Sequence, residues 1–117
     1  MTKSRTFYIK KGEIRNDNDC ARRALEYATG ITPIQAKRAT LNNGWTPQGM
    51  TVVNIILSLW EIAKCKPEIK GIQDISIEEA IQNRTGLIFY PGHVIGVKNG
   101  IPEENLPNTV TCAAWID

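Results

Sequence analysis

The spacing of apolar residues changes along the chain from a helical pattern to a strand-like one. Just after Cys20, apolar residues occupy the i, i+3, i+4, i+7 positions of one helix face: Ala21, Ala24, Leu25 and Ala28. This pattern predicts an amphipathic helix that begins at Cys20. Asn18 or Asp19 supplies a side chain of the kind that caps a helix start, and Gly30 suits the left-handed residue that follows a helix end.

Two more helices are predicted before the chain changes character. The second has Thr32 as its N-cap and Pro33 as its first residue, runs through residues 34–41 and stops at the Asn-Gly pair of residues 43 and 44. The third is predicted to begin near Thr46 and Pro47. Five residues are able to share a broad apolar face on it: Met50, Val53, Ile56, Leu57 and Trp60.

The last third of the chain predicts a short helix followed by strands. Ser76 with Glu79 three residues later is a capping box that opens a helix over residues 77–82. Apolar runs at 86–90, 93–98 and 110–116 are separated by a Pro-Gly turn, an Asn-Gly turn and the loop 102–108, so we expect three strands. The β-prone residues 6–10 predict a short edge strand or an arm. Because helices precede strands, the fold class is α+β, with helices on one side of a small antiparallel sheet.

Composition limits the class of protein further. A chain of 117 residues holds one hydrophobic core, and 42% apolar with 22% charged residues is typical of a globular domain. A net charge of +2 does not call for a nucleic-acid partner. One histidine and three cysteines without CxxC spacing predict no zinc site, and we expect no cofactor. No signal peptide or membrane span is predicted, so we expect a reduced, cytoplasmic protein.

Two residues carry the candidate chemistry. Cys20 stands at a predicted helix start, where unpaired peptide N–H groups and the helix dipole favour a thiolate, although the nearby Asp17 and Asp19 oppose it. His93 begins a predicted strand and is the one histidine of the chain. An imidazole that takes the thiol proton and later delivers it to a leaving group would make the pair a nucleophilic catalyst. The alternative is that Cys20 is a small buried residue at the edge of the helix's apolar face.

The motifs around both residues resemble a known family. NDCARRAL at residues 18–25, ATG at 28–30, GHVIGV at 92–97 and NG at 99–100 are similar to motifs of small phage-type proteins of the papain-like cysteine-peptidase superfamily. The resemblance covers most of the chain. It implies a single papain-like domain over residues 1–117, with Cys20 as the nucleophile and His93 as the general base.

The resemblance leaves the third catalytic residue open. Relatives of this kind have an aspartate shortly after the glycine turn, and here Glu104 or Asn105 stands at that place. Asn99 is a further candidate, although its turn position predicts a structural role. The superfamily often stabilises the oxyanion with a glutamine before the cysteine. That glutamine is absent here, so Asn18 and the backbone N–H of Cys20 are the candidates.

Two functions are therefore expected from the sequence. The first is a thiol hydrolase or peptidase that attacks a peptide or another amide bond through a thioester on Cys20. The second is a catalytically silent papain-like fold that acts as a phage accessory protein and binds a host protein in the host cytoplasm. The sequence leaves the substrate, the partner and the oligomeric state open.

Overall fold

Helices and strands are interleaved in the part of the chain that the structure describes, a computed structural model covering residues 19–72, 76–106, 110 and 112–117. The helices in these ranges are α1 (Cys20–Thr29), α2 (Pro33–Asn42), α3 (Val52–Ala63) and α4 (Ile77–Ile81). The strands are β1 (Glu68–Gly71), β2 (Gly86–Tyr90), β3 (His93–Lys98), β4 (Ile101–Pro102) and β5 (Cys112–Trp115). The predicted strand or arm at 6–10 and the candidate residue Asn18 lie outside the described residues. The α+β prediction is confirmed.

The described strands form one antiparallel sheet in the order β1-β5-β2-β3-β4. The β2–β3 hairpin sets Tyr90 opposite His93. Asn99 and Gly100 take φ values of 52° and 81°, the positive values that a tight turn between β3 and β4 requires. The bounds predicted for β2 and β3 are confirmed, whereas β1 was not predicted because its four residues are all exposed and polar residues flank its one isoleucine.

Helix α1 packs across β3, and this contact positions the candidate site. The four residues predicted for its apolar face are all buried, and Gly30 ends the helix with a φ of 77°. Gly96 of β3 lies so close to α1 that a β-carbon added to it would fall 2.6 Å from the carbonyl oxygen of Ala24. Glycine is therefore required at this crossing.

Helices α1 and α2 are joined by a buried polar contact as well as by apolar packing. The Arg22 Nε–H donates to Thr40 Oγ1 at 2.8 Å, and the Arg22 guanidinium lies 3.9 Å from the centre of the Trp45 ring. Thr40 is fully buried. Helix α2 itself begins at Pro33 as predicted. Thr32 at the N-cap and Gln35 in the first turn form a complete capping box.

The predictions for α3 were wrong in its start and in its face. Residues 46–49 form a turn closed by two backbone hydrogen bonds, and the helix begins only at Val52, with Thr51 as its N-cap. Of the predicted face, Met50 and Ile56 pack against the core, but the other three are exposed: Val53 (64%), Leu57 (41%) and Trp60 (43%). The buried residues are Ile55, Ser58 and Leu59. Because α3 is apolar almost throughout, its periodicity did not identify the buried side.

The two faces of the sheet are covered by different elements. Residues of α1 and α3 form one buried cluster with Leu87, Phe89, Val94 and Ala114. On the opposite face, α4 contributes Ile77 and Ile81 to a second cluster, whose members on the sheet are Ile88, Ile95, Val97, Ala113 and Trp115. The prediction that all helices lie on one side was therefore wrong for α4. Ser76 caps this helix as predicted, by accepting a hydrogen bond from the Glu79 N–H.

Candidate active site

His93 and Glu104 form the polar contact at the centre of the candidate site. His93 Nε2 lies 2.8 Å from Glu104 Oε2, and the His93 side chain is 19% exposed. Because an ionised carboxylate only accepts hydrogen bonds, Nε2 carries the proton in this contact. In the neutral ring, Nδ1 is then the atom able to accept a proton. The Tyr90 ring meets His93 edge-on, with the ring centroids 5.2 Å apart.

Strand pairing explains why Glu104 reaches His93. Backbone pairing with β3 continues beyond Pro102, the last residue of β4, because the Glu103 N–H donates to the carbonyl oxygen of Gly96 at 2.9 Å. The next residue, Glu104, then faces the start of β3. Asn99 lies at the other end of β3, where its N–H donates to Thr85 Oγ1. Of the three residues considered for the third position, Glu104 is the one that the structure brings to His93.

Glu103 is a second carboxylate at the site, and the sequence reasoning overlooked it. Its Oε2 accepts a hydrogen bond of 2.7 Å from the Gly96 N–H. Burial raises the pKa of Glu103 above its ordinary value, and that hydrogen bond and the nearby Arg23 and His93 oppose the rise. The Glu-Glu pair after Pro102 is the signal that could have indicated it, since consecutive residues next to a strand point to opposite faces.

Cys20 is the first residue of α1 and is half-buried. It packs against the cluster that α1 and α3 share with the sheet. Its place at the start of a ten-residue helix sets it beside peptide N–H groups that have no acceptor within the helix. Cys65 is exposed, and Cys112 lies half-buried on β5 opposite Phe89. Cys20 and Cys112 both pack against that cluster, and none of the three cysteines forms a disulfide.

Two contacts show that Cys20 and His93 lie at the same end of the sheet. Ala24 of α1 meets Gly96 of β3, and the Tyr27 hydroxyl donates to the carbonyl oxygen of Ile101, beyond the far end of β3, at 2.9 Å. Helix and strand therefore run in the same direction. Cys20 precedes Ala24 by one turn, about 6 Å, and His93 precedes Gly96 by about 10 Å along the strand.

The strand register nevertheless puts the two side chains on different faces. Val94 and Gly96 face α1, so the alternation of side chains places His93 with Ile95 on the face that α4 covers. The pairing of His93 with Tyr90 agrees with this assignment. The structure thus brings His93 and Glu104 together and leaves Cys20 across the end of β3.

Comparisons with known proteins add no assignment to this geometry. No protein-family model, curated protein or solved structure matches the chain. Within the described residues, no group of three or more histidine, cysteine or acidic side chains is placed to hold a metal ion. In the same residues, every helix is too short or too polar to cross a membrane.

Proposed function

We propose that the protein is a papain-like thiol hydrolase that cleaves a peptide or another amide bond. Cys20 is the nucleophile, His93 the general base and Glu104 the residue that orients the imidazole. The observation that carries this proposal is the 2.8 Å contact between His93 Nε2 and Glu104 Oε2 at the end of the sheet where α1 begins. A carboxylate in that position fixes the tautomer in which Nδ1 is the proton acceptor.

The reaction proceeds in two halves. His93 Nδ1 takes the proton from Cys20 Sγ, and the thiolate adds to the carbonyl carbon of the substrate. The tetrahedral intermediate collapses when the imidazolium gives its proton to the leaving amine, which leaves a thioester on Cys20. Water, deprotonated by His93, then adds to the thioester and releases the acid and the thiol. In this proposal the backbone N–H of Cys20, at the start of α1, supports the oxyanion together with Asn18.

A second function is supported by a different observation. The register that places His93 on the α4 face and Cys20 on the α1 face favours a fold that has kept the motifs but lost the catalytic contact. In that case the protein is a phage accessory protein that binds a host protein in the host cytoplasm. The two proposals differ in one measurable property, the acidity of the Cys20 thiol.

The test is the pH dependence of alkylation by iodoacetamide, followed by mass spectrometry at each cysteine. An ordinary thiol reacts with a midpoint near pH 8.5, whereas a thiol paired with an imidazole has a midpoint of about 7 or below. We expect the midpoint at Cys20 to lie below those measured in parallel at the other two cysteines. The midpoint is compared rather than the absolute rate, because Cys20 is half-buried.

Two variants identify the cause of a low midpoint. His93→Ala removes the base, and its Cys20 midpoint should return toward the ordinary value. Glu104→Gln keeps a hydrogen-bonding side chain but removes the charge, and we expect a smaller rise. A Cys20 midpoint near that of Cys65, unchanged in His93→Ala, would refute the hydrolase and leave the binding function as the proposal.

A further inference from the structure

Within the described residues, strand β1 forms one edge of the sheet. It pairs with β5 on one side and is the last strand in the order of the described sheet. All four of its residues are exposed, and the side chain of Ile69 is 52% exposed at its centre. An edge of this kind presents peptide groups that are able to pair with another strand.

The register shows which peptide groups of β1 point outward. The Ile116 N–H donates to the carbonyl oxygen of Thr85 at 3.0 Å, and this bond continues the β2–β5 register as a hydrogen-bonded pair. In an antiparallel ladder, hydrogen-bonded pairs alternate with pairs that exchange no hydrogen bonds. Trp115 and Ala113 belong to the second kind in their pairing with β2, so their peptide groups point toward β1. Their partners on β1 are Glu68 and Lys70, respectively.

The outward-pointing peptide groups therefore belong to Ile69 and Gly71. The inward groups of Glu68 and Lys70 are used by β5. Pro67, just before the strand, has no N–H and is buried, so it adds no accessible group to the edge. Within the described residues, the outward groups along the edge are then a donor and an acceptor at Ile69 and a donor and an acceptor at Gly71.

We propose that β1 pairs with β1 of a second copy of this chain, antiparallel, about a two-fold axis that passes beside Ile69. Each Ile69 then exchanges two N–H···O bonds with its counterpart. Glu68 lies opposite Lys70 of the second copy, and Lys70 lies opposite its Glu68. Both charged pairs are of opposite sign.

In this antiparallel register, each charged residue of one copy lies opposite a residue of the opposite charge in the other copy. Glu68 and Lys70 face the same side of the sheet, and opposite residues that do not exchange hydrogen bonds approach to about 4.5 Å between α-carbons. A parallel arrangement in register would set like charges beside each other. Within one chain the Glu68 carboxylate lies 2.8 Å from Arg84 Nη2 and 4.0 Å from Lys70 Nζ, so both charged side chains of the strand already lie close together on this face.

The other edge of the described sheet is a poorer site for such pairing. Strand β4 has two residues, and one of them is Pro102. The carbonyl oxygen of Ile101 accepts a hydrogen bond from the Tyr27 hydroxyl. Ile69 pairs with Ala114 and therefore lies on the α1 side of the sheet, where the exposed isoleucines of the two copies meet.

The experiment is sedimentation velocity of the full chain over a concentration series up to about 1 mM, the range in which a weak dimer is detected. We expect a monomer–dimer equilibrium. Ile69→Lys sets two positive charges against each other at the axis and should raise the dimer Kd by at least about tenfold. Ile101→Lys, the same change at an exposed isoleucine of the opposite edge, is the matched control and should leave the Kd unchanged.

A mixing experiment tests the register itself. Lys70→Glu sets Glu68 opposite a second glutamate, and Glu68→Lys sets Lys70 opposite a second lysine, so each variant alone should be monomeric. Mixed together they restore opposite charges at both positions, and a heterodimer should form. Circular dichroism verifies that each variant is folded. A monomer at every concentration, a dimer that Ile69→Lys leaves intact, or folded charge variants that remain monomeric when mixed would each overturn the proposal.

Discussion

Replacing Gly96 by alanine tests the helix–strand crossing on which the candidate site depends. The added β-carbon would lie 2.6 Å from the carbonyl oxygen of Ala24, 3.2 Å from its α-carbon and 3.2 Å from Cδ2 of Tyr27. The first two atoms are backbone, so they move only if α1 moves. Ordinary contacts begin near 3.4 Å, and the helix must therefore retreat from β3 by most of an ångström.

The magnitude follows from the cost of overpacking a core. Inserting one carbon into a well-packed interface typically destabilises by about 1–3 kcal/mol. For a chain of this length that loss lowers the melting temperature by roughly 5–15 °C. Because α1 carries Cys20 and β3 carries His93, the same displacement separates the two ends of the candidate site, and the Cys20 alkylation midpoint should move toward that of an ordinary thiol.

Urea unfolding followed by circular dichroism measures the loss of stability. Gly71→Ala is the matched control, because a β-carbon added to Gly71 meets nothing within 4 Å and its backbone is not in the left-handed region. We expect the control to lie within about 0.5 kcal/mol of the parent. A Gly96→Ala variant as stable as the control would refute the close approach of α1 to β3, and with it the placement of Cys20 relative to His93.

Two further predictions concern buried polar groups. Because burial raises the pKa of Glu103, the folded state binds this proton more tightly than the unfolded chain, and the free energy of unfolding falls as pH rises between the unfolded and the raised folded pKa. The glutamine in Glu103→Gln does not titrate, so the free energy of unfolding of this variant, measured in urea, should rise relative to that of the parent between pH 4 and pH 7. A difference between variant and parent that stays constant with pH would contradict this prediction. Thr40→Val leaves the Arg22 Nε–H without its acceptor and should destabilise by about 1–3 kcal/mol in the same assay, whereas Thr40→Ser should stay close to the parent; equal losses would contradict the role of the hydroxyl.

Local signals in the sequence predicted the elements whose ends carry their own markers. Helix α1 has a one-sided apolar stripe and Gly30 at its end, and the β3–β4 turn has the Asn-Gly pair at residues 99 and 100. Strand β1 had no such signal, because it is short and exposed and exists through its pairing with β5. The face of α3 was wrongly predicted for a related reason: where nearly every position is apolar, tertiary packing decides which residues are buried.

Sequence motifs selected the residues of the candidate site, but they did not predict how those residues are arranged in space. Cys20 and His93 stand beside marked element ends, a helix start and a Pro-Gly turn, so motifs sufficed to select them. The contact between His93 and Glu104 depends on the register of β3 and β4, which brings Glu104 rather than Asn99 to the ring. The face of His93 depends on which side of the sheet α1 covers, and the sequence does not contain that information locally.

The proposed catalysis requires one of the two partners to move, because the strand register puts their side chains on different faces of the sheet. Cys20 is tied to α1 and packs against the core, so its position follows the helix. His93 is the first residue of β3, at the end of the strand, and its contact with Glu104 is at the surface, since the Glu104 side chain is 47% exposed. For the proposed hydrolase we therefore expect the start of β3 with His93, rather than α1, to be the part that moves. The alkylation midpoint of Cys20 reports whether the imidazole comes to lie beside the thiol.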